Sequence, residues 1–242
     1  MKIVGIIPAR YESSRFPGKP LAMISGKSMI QRVYEQAKKA TSLTEVYVAT
    51  DDERIIKEVE TFGGQVIMTA KEHLNGTSRC AEALEILNKS FNYIINIQGD
   101  EPLINPLQIN ELASLFLDEH AEIITQVAIE TDLSLLENKN IVKAILDKDC
   151  YAIDFKRKLS ESTLVSSSFF RHVGIYGFKT DVLKKIVQLT PTKNELEEHL
   201  EQLRWIDNKF IIKAGITKYK SISIDTKEDL RKVINYVESF GL

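Results

Sequence analysis

The sequence holds 242 residues, with 32 Lys and Arg against 34 Asp and Glu, for a formal net charge of −2. That length fits one α/β domain or one domain plus a small lobe, and the near-neutral balance supplies no global field for nucleic acid or a membrane surface. Two lone cysteines, Cys80 and Cys150, read as reduced thiols of a cytoplasmic protein, and four scattered His offer no zinc-type site.

Strand-like sequence begins at residue 2, which leaves no room for a signal peptide. No apolar run reaches the ~18 residues that a bilayer span needs. Ile3-Val4-Gly5-Ile6-Ile7 reads as a fully buried strand. Beyond it Arg10, Arg15 and Lys19 follow one another with Ser13, Ser14 and Gly18 between them. A loop at the carboxyl end of a first strand is where open α/β sheets bind ligands. Cations among small residues with available backbone N–H groups suit a polyphosphate; a solvated basic loop is the bland reading.

A helix is expected over Met29 to Ala40, a strand over Val46 to Thr50, and a helix opened by Asp51-Asp52-Glu53 and stopped by Gly63-Gly64. Gln65 to Thr69 is the next strand. Asn75-Gly76-Thr77 is a turn, with Thr77 as cap of a helix through Leu87, and Asn92 to Gln98 is another buried strand. This βαβα rhythm implies a mostly parallel sheet with helices on both faces. Pro106 starts a helix to about Glu119. Ile123 to Ile129 is a strand, then a short helix runs near Asp132 to Glu137. Ile141 to Leu146 and Tyr151 to Phe155 read as a hairpin, and 156–168 as a mobile loop. Arg171 to Phe178 is a strand. Helices are expected over Asp181 to Leu189, Asn194 to Arg204 and Thr226 to Glu238, with strands at Phe210 to Ile216 and Ser221 to Ile224.

Asp100, in Gln98-Gly99-Asp100-Glu101-Pro102, follows a buried strand. It can hold Mg²⁺, which takes one or two carboxylates plus phosphate oxygens, or merely cap the turn. For Asp225, spacing alone favours capping of the last helix, by Thr226 with Asp229 or by Asp225 with Glu228. Arg79 lies in the first turn of a helix, where its charge opposes the dipole; it faces a ligand or lies on the surface. His172 can hydrogen-bond a polyol or carboxylate, or be a satisfied structural His. The acids of 195–201 read mainly as a solvated helix face.

Taken together and in order, these segments resemble one family. They are Ile-Pro-Ala-Arg-Tyr-x-Ser-x-Arg-x-Pro-Gly-Lys-Pro-Leu at the first loop, Ala-Thr-Asp at 49–51, Asn-Gly-Thr-x-Arg at 75–79 and Gln-Gly-Asp-Glu-Pro at 98–102. Further on come Arg-His-x-Gly-Ile-Tyr-Gly at 171–177, Leu-Glu-Gln-Leu-Arg at 200–204 and Asp-Thr-x-Glu-Asp-Leu at 225–230. The chain is similar to the 3-deoxy-manno-octulosonate (Kdo) cytidylyltransferases, or CMP-Kdo synthetases, over nearly its whole length.

The resemblance implies transfer of CMP from CTP to the anomeric hydroxyl of Kdo for lipopolysaccharide biosynthesis, with release of pyrophosphate. It implies Mg²⁺ dependence, a cytoplasmic homodimer, and neither nucleic acid nor membrane insertion. It implies a Rossmann-like nucleotidyltransferase fold: one domain, nucleotide-binding to about 130, a small sugar-binding and dimerisation lobe over 131–215, and a closing strand and helix over 216–242. By the match, Arg10, Ser13, Arg15 and Lys19 hold the triphosphate, and Thr77, Arg79 and Gln98 contact nucleotide or sugar. Asp100 and Asp225 share the metal, and with Arg10 and Lys19 form the catalytic set. Arg157, His172, Tyr176, Glu195, Glu198 and Gln202 fall in the sugar region. The chain departs from the family at Asp154-Phe155-Lys156-Arg157, where Tyr-Phe-Ser-Arg and a following Ile-Pro segment are usual, and at Ser78, usually acidic. The alternative acceptor is a related 3-deoxy sugar acid, amino-substituted or sialic-type. A dehydrogenase is disfavoured by the lack of Gly-x-Gly-x-x-Gly after the first strand, and a CTP-binding sensor without turnover by the presence of both aspartates.

Overall fold

The computed structural model describes residues 1–12, 16–163, 167–220 and 222–241. Ser13 and Arg15 of the first loop lie outside the described residues. Two compact units emerge, Met1–Asn110 with Lys220–Leu242, and Glu111–Tyr219. The sequence reading divides the chain near 130/131 and 215/216 instead.

In the first unit, β1 (Ile3–Ala9) buries Ile3, Val4, Ile6 and Ile7 completely, as its unbroken apolar run predicts. A short 3-10 turn (Lys19–Leu21) and a small hairpin, β2 (Met23–Ile24) with β3 (Lys27–Ser28), lead into α1 (Met29–Lys38). Next come β4 (Glu45–Thr50), α2 (Glu53–Thr61), β5 (Val66–Met68), α3 (Gly76–Leu87), β6 (Tyr93–Asn96) and the start of α4 (Pro106–Ser114), which belongs to the second unit from Glu111 on. The α3 cap is Asn75, whose Oδ1 accepts from Ser78 N–H at 2.9 Å, and not Thr77. Thr77 lies one step inside the helix and is buried. The α4 helix ends before Glu119 because residues Leu115–Leu117 tighten into a 3-10 turn.

The strands of this unit run β6-β1-β4-β5, all parallel. From β1 the chain builds outward through β4 to β5, and α3 then carries it back to the other side of β1. With this strand order, the right-handed crossovers that parallel strands adopt as a rule place α1 and α2 on one face and α3 on the other. That reversal opens a crevice between the carboxyl ends of β1 and β6, the switch point where such sheets bind ligands. Pairing continues past β6, where Ile97 N–H donates to Ile6 O at 2.9 Å.

The second unit contains β7 (Ile123–Glu130), a 3-10 turn (Leu133–Glu137), β8 (Lys143–Leu146), β9 (Ala152–Lys156), β10 (Phe169–Lys179), α5 (Thr180–Ile186), α6 (Lys193–Glu198), α7 (Glu201–Asp207) and β11 (Ile212–Ile216). Its strands run β11-β7-β10-β8-β9, antiparallel except for β11 with β7. The expected α/β class, mostly parallel but mixed, therefore holds. The helix expected over Asn194 to Arg204 is two helices, because His199 turns to φ 53 and ends α6. In the expected loop over 156–168, Lys156 still belongs to β9 and Glu161–Thr163 form a 3-10 turn, while 164–166 lie outside the described residues.

The last helix, α8 (Lys227–Phe240), belongs to the first unit. No strand precedes it among the described residues 222–224. Instead Ile224 is fully buried with Phe16, Ile24, Met29, Val233 and Val237, and its N–H donates to Asp100 O at 2.9 Å. That apolar anchor and single hydrogen bond bring Asp225 beside Asp100.

Candidate active site

The crevice of the first unit is a cleft of about 260 Å³, lined by the ends of β1 and β6, the turn before α3, Lys19 and Asp225. Gly99 makes this close approach possible, since a Cβ there would lie 2.8 Å from Pro8 O. Lys19 Nζ donates to Asp100 Oδ2 and to Ile224 O, each at 2.8 Å, and stands 3.7 Å from Asp225 Oδ1. The two carboxylates are thus no farther apart than those two ion-pair distances together. The capping box of α8 is made by Thr226 and Asp229, the first of the two pairs that spacing offered, and not by Asp225 with Glu228. Arg10 is exposed and lines the same cleft, as does Gln98, whose Nε2 donates to Asn96 Oδ1 at 3.3 Å.

Arg79 is buried rather than on the surface. Its guanidinium donates to Asp51 Oδ2 at 2.9 Å, Thr69 Oγ1 at 2.6 Å and Ala70 O at 3.2 Å. The Asp51 carboxylate offsets the unfavourable placement of a cation at a helix N-terminus. Arg79 also lines the cleft, as part of its wall.

No group of three or more His, Cys, Asp or Glu side chains gathers to hold a metal among the described residues, but two carboxylates are a donor set that Mg²⁺ accepts. Such an ion keeps most of its coordination for water and phosphate oxygens, and oxygen-only donors match its hardness. The Lys19 ammonium already occupies the electrostatic position between them. These residues fit the ion that the resemblance implies.

In the second unit, a register shift in β10 between Val173 and Tyr176 lets His172 and Tyr176 approach Thr125 of β7 together. Thr125 Oγ1 lies 3.0 Å from His172 Nε2, 2.9 Å from Ile175 O and 3.4 Å from Val173 O, so the hydroxyl ties the imidazole to the β10 backbone. The His172 ring packs against Phe155 and Tyr176 at 5.1 and 5.3 Å. Burial, with Arg171 adding repulsion, holds the His172 pKa down to about 3, and burial raises the Tyr176 hydroxyl well above its usual value. Gln202 is buried on α7. The remaining three sugar-region candidates hold the unit together. Arg157 donates to the carbonyls of Glu198, His199 and Lys139 at 2.6, 3.0 and 2.9 Å, and Glu198 Oε2 accepts from Arg157 N–H at 3.1 Å. Glu195 forms a two-pronged pair with Arg204 at 2.8 and 2.6 Å and belongs to a capping box with Thr192, so it is no solvated surface acid.

A family model described as "Cytidylyltransferase" matches residues 4–218. The chain is 44% identical to the 3-deoxy-manno-octulosonate cytidylyltransferase of Bacteroides thetaiotaomicron, over 99% of each chain. It is 47% identical to that of Parabacteroides distasonis, over 98% of each. The chain belongs to the 3-deoxy-manno-octulosonate cytidylyltransferase family. A solved structure described as CMP:2-keto-3-deoxy-manno-octonic acid synthetase complexed with CTP superposes with a TM-score of 0.93 at 35% identity, covering 99% of this chain and 100% of that one. A 4-diphosphocytidyl-2C-methyl-D-erythritol synthase from Anaerococcus prevotii shares the fold at 15% identity and a TM-score of 0.64. No described helix is long and apolar enough to cross a membrane.

For this family member, sequence reasoning missed His73 and Leu74 on the cleft wall and Asp51 behind Arg79. Asp51 stood in the Ala-Thr-Asp motif, but only the adjacency of β4 and β5 shows what it faces. The depressed His172 pKa has a consequence for stability. In the unfolded chain His172 takes up its proton near pH 6.5, whereas the folded site resists it down to about pH 3. Its contribution is complete above pH 6.5 and is lost as pH falls toward 3, by up to about 1.4 kcal/mol per pH unit. Urea unfolding should show a smaller stability difference between pH 7 and pH 4.5 in His172→Gln than in the wild type.

Proposed function

We propose that this chain transfers CMP from CTP to the anomeric hydroxyl of 3-deoxy-D-manno-octulosonate, releasing pyrophosphate. The observation that carries the proposal is Lys19 set between Asp100 and Asp225 in a cleft that Arg10 also lines. The family membership supports the acceptor.

The hydroxyl must attack the α-phosphorus in line while pyrophosphate leaves. A sugar carboxylate and a triphosphate repel each other, so binding both needs fixed positive charge. Arg10 and Lys19 supply it, and Gln98 and the Asn75–Gly76 turn give polar wall for the nucleotide. Magnesium, when bound, supplies charge neutralisation of the phosphate oxygens and of the leaving group. Asp100 and Asp225 would hold it. Until they do, the Lys19 ammonium keeps those two carboxylates from repelling each other. No covalent enzyme intermediate is required, and positioning supplies much of the rate.

The same reading extends to a cytoplasmic homodimer serving lipopolysaccharide biosynthesis. Pyrophosphate release from CTP and Mg²⁺ with a panel of sugar acids tests the acceptor. Turnover with Kdo is expected; silence with Kdo beside turnover with an amino-substituted or sialic-type relative would replace it.

A further inference from the structure

Gly18 N–H donates to Tyr11 O at 2.8 Å, which ties two described residues together. The residues flanking that contact are Arg10 and Lys19, two of the described cations of the cleft. Gly18 sits at φ 70 with its Cα against the Tyr11 ring, where a Cβ would meet three ring and hydroxyl atoms at 3.2 Å. The Arg54 guanidinium stacks on the same ring, 3.2 Å from its centroid. Arg54 does not hang free. Its Nε and NH2 grip both carboxylate oxygens of Asp52 at 2.8 and 2.6 Å, and Asp52 also caps α2 by accepting from Arg54 N–H at 2.9 Å. The stacked plane is therefore fixed from the first turn of a helix. The pairing lowers the Asp52 carboxyl and raises the Arg54 guanidinium.

We propose that Arg54, oriented by Asp52 and stacked on Tyr11, is a positioning residue for the cleft's cations, holding the Tyr11–Gly18 contact that flanks and spaces Arg10 and Lys19. This rests on the nucleotide reading of the cleft. A local cap pair between Arg54 and Asp52 would need no aromatic partner. The stack engages a residue more than forty positions away in sequence, on the loop that carries the cations. Arg10 and Lys19 held at a set spacing beforehand lose less freedom when the nucleotide binds, so the device acts on affinity for CTP rather than on the chemical step.

The test compares Arg54→Met, Tyr11→Leu, Tyr11→Phe and the double variant Arg54→Met/Tyr11→Leu. It reads steady-state kinetics, thermal unfolding and calorimetric CTP titration. Arg54→Met and Tyr11→Leu should each raise the KM for CTP about tenfold with kcat, the KM for the sugar acid and Tm near wild type. Tyr11→Phe, which keeps the ring, should retain the wild-type value, and the double variant should be no worse than the poorer single. Unchanged KM for CTP in both singles, effects that multiply to about a hundredfold in the double, or equal rises in KM for both substrates would each overturn the proposal. Wild-type protein that binds CTP but never turns over would sink the proposed reaction alone, because the CTP titrations of the variants would still decide the role of Arg54.

Discussion

Replacing Lys19 with Met is expected to lower kcat/KM for CTP by about 10²–10³-fold, the usual loss when one preorganised donor to developing charge is removed. The side chain is only 18% exposed, and its ammonium is held on three sides by Asp100, Asp225 and Ile224 O. Such a cation has lost its reorganisation cost before substrate arrives. The fold should survive the change. The side chains of Asp100 and Asp225 are 29% and 44% exposed, so losing the Lys19 ammonium beside them costs about 1 kcal/mol or less in solvent-screened surroundings. The same variant should bind Mg²⁺ at least as tightly as wild type in a calorimetric titration, because the ammonium no longer competes for the carboxylate oxygens. Wild-type turnover in Lys19→Met would remove this cleft from the reaction.

The second large effect is expected at the carboxylates. Asp100→Asn and Asp225→Asn should each reduce Mg²⁺-dependent pyrophosphate release by about 10³-fold, or about 4 kcal/mol in barrier. If the two side chains serve one ion, the double variant should be hardly worse than the poorer single, since groups that act as a unit are not additive. Independent roles would instead multiply. Asp225→Asn also separates two explanations of the Asp-Thr-Lys-Glu-Asp segment. The Asp225 side chain is not the α8 cap, so the melting temperature should stay close to wild type while activity collapses. A large fall in Tm with modest loss of activity would mark Asp225 as a structural acid.

The different fates of the candidate residues follow from the range of the forces that place them. Asp100 was legible because a buried apolar strand followed by glycine and an acid puts a carboxylate at a strand end, a local matter. Asp225 was not legible from its own neighbours, where Thr226 and Asp229 offer a complete cap. Its place beside Lys19 depends on Ile224 packing with Phe16, Ile24 and Met29, residues some two hundred positions away. Glu195 and Arg157 make a related point. The acids around Glu195 read as a solvated face and the family match put Arg157 in the sugar region, and neither reading names the Arg204 or the three carbonyl oxygens that meet them inside the second unit. Charge type is local; the partner that neutralises it is not.

The amino-acid sequence by itself determined the alternation of buried strands and amphipathic helices, the positive loop after the first strand and the ordered motifs that mark the family. It did so because hydrophobic period, turn chemistry and charge are properties of short stretches. Only the tertiary structure decided that Lys19, Asp100 and Asp225 meet, that Arg79 answers to Asp51, and that Arg54 stacks on Tyr11. Each of those contacts joins segments whose approach is set by strand order and core packing, and no local pattern encodes that distance.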